Sequence, residues 1–201
     1  MDKLLKLKFA ETLRKLSGKE YLEAIVAFAA APTIQNKKPA SLMNFNSCGR
    51  NTAALWRKYG KDICESFNLE YFELKSDNDS TIILLYQKKL LEWYLNHPRN
   101  QSFLNKMGYC TEYSLKEKLE ILKHRFNNFC PHEVGIFLGM PVEDVEGFIE
   151  HKGKNCLSCK YWKVYCNPKR AELIFSAYDK ARNSMAEFLV KLNEDRMAKC
   201  C

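Results

Sequence analysis

The sequence has no long uninterrupted apolar run. Its longest, residues 24–31, is about half of the ~20 residues that a bilayer-spanning helix needs, so it indicates a buried helix instead of a membrane span. The first residues, 1–6, continue into a charged amphipathic pattern and lack the apolar region and cleavage site of a signal peptide. We therefore expect a protein of the cytoplasm that has no membrane partner.

A concentrated basic stripe is also missing. The formal net charge is +8 over 201 residues, but acidic residues separate the groups of lysine and arginine. Nucleic acid favours a continuous basic surface with aromatic platforms, so this pattern predicts a solvated basic surface and no nucleic-acid partner. An acidic protein partner fits the same charge equally well.

A second Cys-x2-Cys pair is missing too. The nine cysteines are an odd number in a chain expected in a reducing compartment, which argues against a disulfide framework and indicates metal ligation or a reactive thiol. Cys156 and Cys159 form one such pair, which Cys166 and Cys130 could complete as a zinc or small iron–sulfur site. A redox-responsive pair at Cys156 and Cys159 remains open. Cys200 and Cys201 are expected to form a disordered tail.

The length and the 46% hydrophobic content predict a single domain over residues 1–201. Apolar periodicity predicts helices over residues 3–17, 20–30, 51–67, 88–95, 101–106, 114–129 and 142–151 and a long one from 169, and strands over 71–74, 81–86, 134–138 and 161–165. The fold class is α+β, with helices packed around a small antiparallel sheet. The chain divides into N-terminal helices (1–31), a functional loop (32–49) and a catalytic-type core with a long C-terminal helix (50–199).

The candidate catalytic residues are a thiol and an imidazole far apart in sequence. Cys48 precedes a predicted helix, whose dipole would favour the thiolate, and His132 lies at the mouth of the predicted strand 134–138 as general base. Asn167 would orient the imidazole, with Asp144 as its substitute. The alternatives are an incidental loop thiol, a histidine bonded to backbone, and a helix cap at Asn167 before a proline.

Substrate would contact Trp162, which could line a pocket between the candidate sites, and Lys38. The expected reaction is acyl transfer: the Cys48 thiolate attacks a thioester or amide carbonyl, and the backbone amide of Cys48 stabilises the oxyanion. This reading needs no cofactor. The alternative is a metal or redox protein that uses the cysteines near residue 160.

Several segments resemble one family. Residues 131–141 (PHEVGIFLGMP), 143–149 and 161–165, together with 31–33 and 38–41, resemble a family of small bacterial proteins, common in anaerobes and catalogued as a domain of unknown function. The resemblance covers most of the chain and implies little about function.

The chain order is similar to that of papain-like and transglutaminase-like enzymes, in which a thiol at a helix start is followed by a His-led strand and then by Asn or Asp. That similarity implies a papain-like architecture. It also implies biosynthetic amide-bond formation, with an acyl group delivered by an acidic acyl carrier protein and a small-molecule amine as acceptor.

Overall fold

The computed structural model describes residues 1–127 and 129–199, so the predicted tail at Cys200 and Cys201 lies outside the described residues. The helices are α1 Lys3–Lys15, α2 Gly18–Ile34, α3 Thr52–Ser66, α4 Lys88–Leu95, α5 Pro98–Lys106, α6 Leu115–Phe126, α7 Val134–Phe137, α8 Val142–Glu150 and α9 Pro168–Lys199. The strands are β1 Ala40–Asn46, β2 Glu70–Ser76, β3 Ser80–Tyr86, β4 Ser158–Cys159 and β5 Lys163–Val164.

A three-stranded antiparallel sheet of order β1-β3-β2 is the middle layer of the fold. Because helices cover both faces of the sheet, the alternating side chains of the central strand β3 face a core on each side. Ile83 and Leu85 pack with residues of α2 and α3, whereas Leu84 and Tyr86 pack with residues of α4 to α8. The predicted α+β class, with helices around a small antiparallel sheet, is thus confirmed.

The last helix, α9, connects two smaller cores. Near its start, Phe175 and Tyr178 pack against Trp162 and Val164 of the β4–β5 hairpin. Further along, Ala186 and Val190 pack against Phe9 and other apolar side chains of α1. Asn167 accepts a hydrogen bond from the backbone N–H of Arg170 at 3.0 Å, so the predicted N-cap of this helix is confirmed. In the part of the chain that the structure describes, no helix has the length and apolar content to cross a membrane.

The predicted functional loop over residues 32–49 is wrong. Helix α2 continues past Pro32 to Ile34, and β1 begins at Ala40. Proline lies here in the last turn, where the helix loses only one backbone hydrogen bond, and its own carbonyl accepts from the N–H groups of Lys37 and Lys38. Only the turn before β1 and residues 47–51 after it remain irregular.

The predicted strand over residues 134–138 is also wrong. These residues form the short helix α7, and the predicted strand 161–165 is reduced to Lys163–Val164. The run Val134-Gly135-Ile136-Phe137-Leu138 is buried throughout, and a short apolar run gives no period that separates a buried strand from a buried helix. His132 therefore lies in a turn before a helix and not at the mouth of a strand.

Two glycines allow α7 to turn tightly into α8. At Gly135 an added Cβ would lie 2.8 Å from Cγ2 of Val145. Gly139 has φ +79°, and its Cβ would lie 2.5 Å from Cδ of Pro39. The segment that opens with His132 is thus a close-packed structural turn that also fixes the position of Pro39.

An ion pair between the buried Glu133 and the partly buried Arg125 anchors the start of this turn. Glu133 is 4% exposed, and its Oε1 accepts from Arg125 at 2.6 Å and from the Tyr109 hydroxyl at 3.1 Å. Arg125 also donates to the carbonyl of Met107 and lies over the Tyr109 ring, 5.2 Å from its centroid. Burial and the charge of Glu133 raise the pKa of Tyr109, so this phenol stays protonated and keeps its role as donor.

We expect Gly139→Ala to lower the free energy of unfolding by about 2–3 kcal/mol, because an L-residue at this φ is strained and its Cβ meets the Pro39 ring. Gly49→Ala is the matched control: its φ is +61°, but nothing lies within 4 Å of the added Cβ. Urea unfolding of both variants separates backbone strain from close packing. Equal losses would contradict the proposed contact with Pro39.

We expect Glu133→Gln to lower the free energy of unfolding by about 2 kcal/mol, since Arg125 keeps its charge in a partly buried position without its carboxylate. The value lies below that of a fully buried pair because the Arg125 side chain is one-third exposed. Glu150→Gln, at the exposed end of α8, should change stability by less than about 0.5 kcal/mol. A urea midpoint for Glu133→Gln equal to that control would show that the ion pair is not an anchor.

Candidate functional site

A cleft of about 350 Å³ lies between the α7–α8 region and the β4–β5 hairpin. We call it the hairpin cleft, and its lining residues are Cys130, Pro131, His132, Val134, Gly135, Met140, Asp144, Val145, Phe148, Cys159, Lys160, Tyr161, Trp162 and Lys163. Most of this surface is apolar or aromatic, and the remainder holds an imidazole, a carboxylate, two thiols and two ammonium groups. Such a composition fits a small-molecule site with a few reactive groups.

His132 is exposed, in the turn that leads into α7. Its ring lies 5.3 Å, centroid to centroid, from the ring of Phe148 on α8. Lys163 lies over the same Phe148 ring, 5.9 Å from its centroid, and donates to the carbonyl of Gly153 at 2.6 Å. The imidazole is therefore at the surface of the cleft, where it can reach a bound molecule.

Asp144 lies in the wall of the cleft, where its carboxylate binds the segment around β5. Its Oδ2 accepts from the indole N–H of Trp162 at 2.8 Å, and its Oδ1 accepts from the backbone N–H groups of Tyr165 at 2.8 Å and Cys166 at 3.0 Å. Both oxygens are thus used by the segment around β5. The predicted substitute role, orienting His132, would compete with these bonds.

Two thiols line the cleft from different segments. Cys130 lies beside the turn of His132, and burial and the charge of Glu133 raise the pKa of its thiol. Cys159 lies in β4, where it is exposed and free. Both thiols are exposed, and the shift at Cys130 disfavours its thiolate.

The cysteines predicted to ligate a metal are only partly brought together. Cys130 and Cys159 share the cleft, whereas Cys156 and Cys166 are outside its lining. The buried hydroxyl of Tyr165 has no hydrogen-bond partner, and burial together with the charges of Cys156 and Cys159 raises its pKa. Within residues 1–127 and 129–199, no three His, Cys, Asp or Glu side chains are arranged to hold a metal ion.

Cys48 lies outside the lining of the hairpin cleft. It occupies the exposed connection between β1 and α3, where its N–H donates to Oδ1 of Asn46 and its carbonyl accepts from the N–H of Asn51. Asn51 caps α3 through Ala54. Asn167 is likewise outside the lining, at the start of α9. The structure thus places His132, Asp144 and Trp162 at one site, and Cys48 and Asn167 elsewhere.

The two predicted substrate contacts also separate. Trp162 is 8% exposed and stacks edge-on with Phe175, at 4.5 Å between centroids, so it forms a firm wall of the cleft. Lys38 is half-buried near α9, with its Nζ 5.7 Å from the centroid of the Tyr178 ring, and is absent from the lining of the cleft.

Sequence reasoning missed Phe148 and Tyr161 as walls of the cleft and Cys159 as a thiol within it. Phe148 reads as one more apolar position of an amphipathic helix, and Cys159 reads as half of a Cys-x2-Cys pair. Neither pattern shows which side of the β4–β5 hairpin faces α8. The hydrogen bond between Trp162 and Asp144 determines that side. Because these residues are 18 positions apart, a short sequence pattern does not contain the bond.

No curated protein and no solved structure matches this chain at the threshold of significance. A family model described as "Protein of unknown function (DUF3793)" matches residues 26–197, which span the sheet, the hairpin cleft and nearly all of α9. The chain therefore belongs to the DUF3793 family of proteins of unknown function.

Proposed function

We propose that the protein transfers acyl groups within the hairpin cleft, with Cys159 as nucleophile and His132 as general base. The observation that supports this most directly is that one largely apolar cleft is lined by both an exposed imidazole and an exposed free thiol. An acyl chain would lie against the apolar walls while its carbonyl carbon meets the sulfur. The proposal keeps the thiol–imidazole chemistry predicted from sequence and moves the thiol from Cys48 to Cys159.

The chemistry requires only groups of the chain and two substrates. His132 takes the proton of the Cys159 thiol, and the thiolate attacks the carbonyl carbon of an acyl thioester. The new sulfur–carbon bond replaces the bond to the donor thiol, which leaves with the proton from the imidazolium. An amine then attacks the acyl-enzyme, forms the amide, and releases Cys159 as a thiol once its own proton has passed through His132.

Lys160 and Lys163 support an acidic acyl donor, such as a carrier protein, because they add positive charge to the cleft. Lys160 is paired with the carboxylate of Asp179, whereas Lys163 is held by the neutral carbonyl of Gly153, so Lys163 carries most of this positive charge. The excess of basic residues over the whole chain acts in the same direction at longer range.

A papain-like arrangement that joins Cys48, His132 and Asn167 is the other version of this proposal. It would need the exposed β1–α3 connection and the start of α9 to approach His132. The Cys159 version needs no such movement of elements, because both groups already line one cleft. The two versions predict different acylated residues.

A thiol redox or metal-binding function is the second candidate, and the observation that favours it is the shared cleft of Cys130 and Cys159. Oxidation by a small-molecule disulfide would join the two sulfurs, and the two electrons and two protons that the cysteines lose would pass to the reagent, which becomes two thiols. Zinc or an iron–sulfur cluster would instead draw on Cys156, Cys159, Cys166 and Cys130.

We expect the octanoyl thioester of N-acetylcysteamine to acylate Cys159, as located by mass spectrometry of peptides. Cys159→Ala should abolish this labelling, and His132→Gln should slow it by about a hundredfold, since a general base is lost. Cys48→Ala is the control and should label at the wild-type rate. Labelling of Cys48 instead would favour the papain-like version, and absence of any acylation would overturn the enzyme proposal.

If the second candidate is right, treating the reduced protein with oxidised glutathione should yield a Cys130–Cys159 disulfide, seen as one cross-linked peptide pair. Zinc titration of the reduced protein should then separate metal binding from redox chemistry, because bound zinc protects its ligand cysteines from iodoacetamide. Cys110→Ala, which removes an exposed cysteine outside the cleft, should alter neither result. Free reaction of all four cysteines in both experiments would eliminate this candidate.

A further inference from the structure

Two cationic side chains lie over adjoining tyrosine rings where α9 meets the β4–β5 hairpin. The Lys38 ammonium lies 5.7 Å from the centroid of the Tyr178 ring, and the Arg182 guanidinium lies 5.0 Å from that of the Tyr161 ring. The two rings contact edge to face, with centroids 5.2 Å apart. We call these four residues the Lys38–Arg182 cluster, and it is half-buried apart from the fully buried Tyr178.

Neither cation of the cluster forms an ion pair with any carboxylate that the structure describes. The guanidinium donates from Nη2 to the carbonyl of Ala29 in a long hydrogen bond of 3.5 Å and also interacts with the Tyr161 hydroxyl, whereas its Nε is buried with no partner. Asp179 bonds to Tyr161 at 2.8 Å, but its other oxygen is taken by Lys160. The cluster thus has an excess of positive charge, because the carboxylate of Asp179 beside it is shared with Lys160.

The backbone holds Lys38 in this position. Its N–H donates to the carbonyl of Pro32 at 3.1 Å, at the end of α2, and the next residue, Pro39, packs against Gly139. The lysine stem therefore leaves a rigid turn and not a loose loop. A cation fixed near a second cation is electrostatically unfavourable unless something negative binds between or beside them.

The neighbouring cation and the burial of the site change the pKa of Lys38. Burial, and then the charge of Arg182, lower the pKa of its ammonium group to about 8. A bound anion would oppose both effects and raise this pKa again. Arg and Lys both bind phosphate, Arg by paired hydrogen bonds and Lys as a point charge.

We propose that the Lys38–Arg182 cluster is a binding site for the phosphate group of a small soluble molecule. Two cations match the double negative charge of a phosphate monoester, and the aromatic rings of Tyr161 and Tyr178 give the site a firm, partly dry base. Tyr161 also lines the hairpin cleft, so the two sites adjoin, but phosphate binding requires neither Cys159 nor His132.

Acetic anhydride labelling at pH 8, read by mass spectrometry at each lysine, tests the site with inorganic phosphate as probe. Without phosphate, Lys38 should react at least ten times faster than an ordinary lysine, because about half of its amines are neutral at this pH. Phosphate should slow Lys38 severalfold, relative to sodium chloride of equal ionic strength. Lys37, which is exposed and adjacent, should react equally in both salts.

Variants give an independent readout. Phosphate should raise the melting temperature of wild-type protein and of Lys38→Arg, but not of Lys38→Gln, whereas Lys37→Gln should behave as wild type. Equal labelling of Lys38 in phosphate and chloride would overturn the proposal, as would equal stabilisation of Lys38→Gln. Sodium acetate tests the carboxylate alternative: an effect of acetate as large as that of phosphate would replace phosphate by a carboxylate ligand.

Discussion

The geometry of the hairpin cleft depends on the carboxylate of Asp144. Its two oxygens accept three N–H groups from Trp162, Tyr165 and Cys166, and this joins α8 to the segment around β5. Hydrogen bonds to a charged group contribute about 1.5–3 kcal/mol each, so they outweigh the pairing of two strands that are only two residues long. Without Asp144, the wall that carries Cys159 and Trp162 would lose its attachment to the wall that carries His132.

A second carboxylate fixes the other side of the cleft. Glu133 follows His132 directly and accepts hydrogen bonds from Arg125 and Tyr109. These bonds fix the backbone next to the exposed imidazole. Neighbouring residues in sequence therefore have opposite environments, one buried and paired and the other exposed to the cleft. This is the arrangement expected where a fold positions a reactive group, because rigidity below the site limits motion of the group above it.

The sequence predicted the parts of the fold whose signals are local. The helix that begins after Ser114, the cap at Asn167 and the strands β2 and β3 were all found from short patterns. The segment 134–138 was assigned to the wrong structure because every side chain in it is buried, and full burial removes the periodicity that distinguishes a helix from a strand. The end of α2 was misplaced because a proline in a last helical turn is tolerated.

The sequence predicted several residues of the candidate site, but not which of them lie together in the fold. His132, Asp144 and Trp162 come together because a bond between residues 144 and 162 closes the cleft, and no short sequence pattern contains that bond. The charged groups of the Lys38–Arg182 cluster are 144 positions apart, so a short sequence pattern does not predict this cluster either. Its members meet only because α9 packs along α2 and returns the chain to the turn before β1. Both sites are thus products of the same long-range packing, in which the first turns of α9 support the β4–β5 hairpin through Phe175 and present Arg182 one helical turn beyond Tyr178.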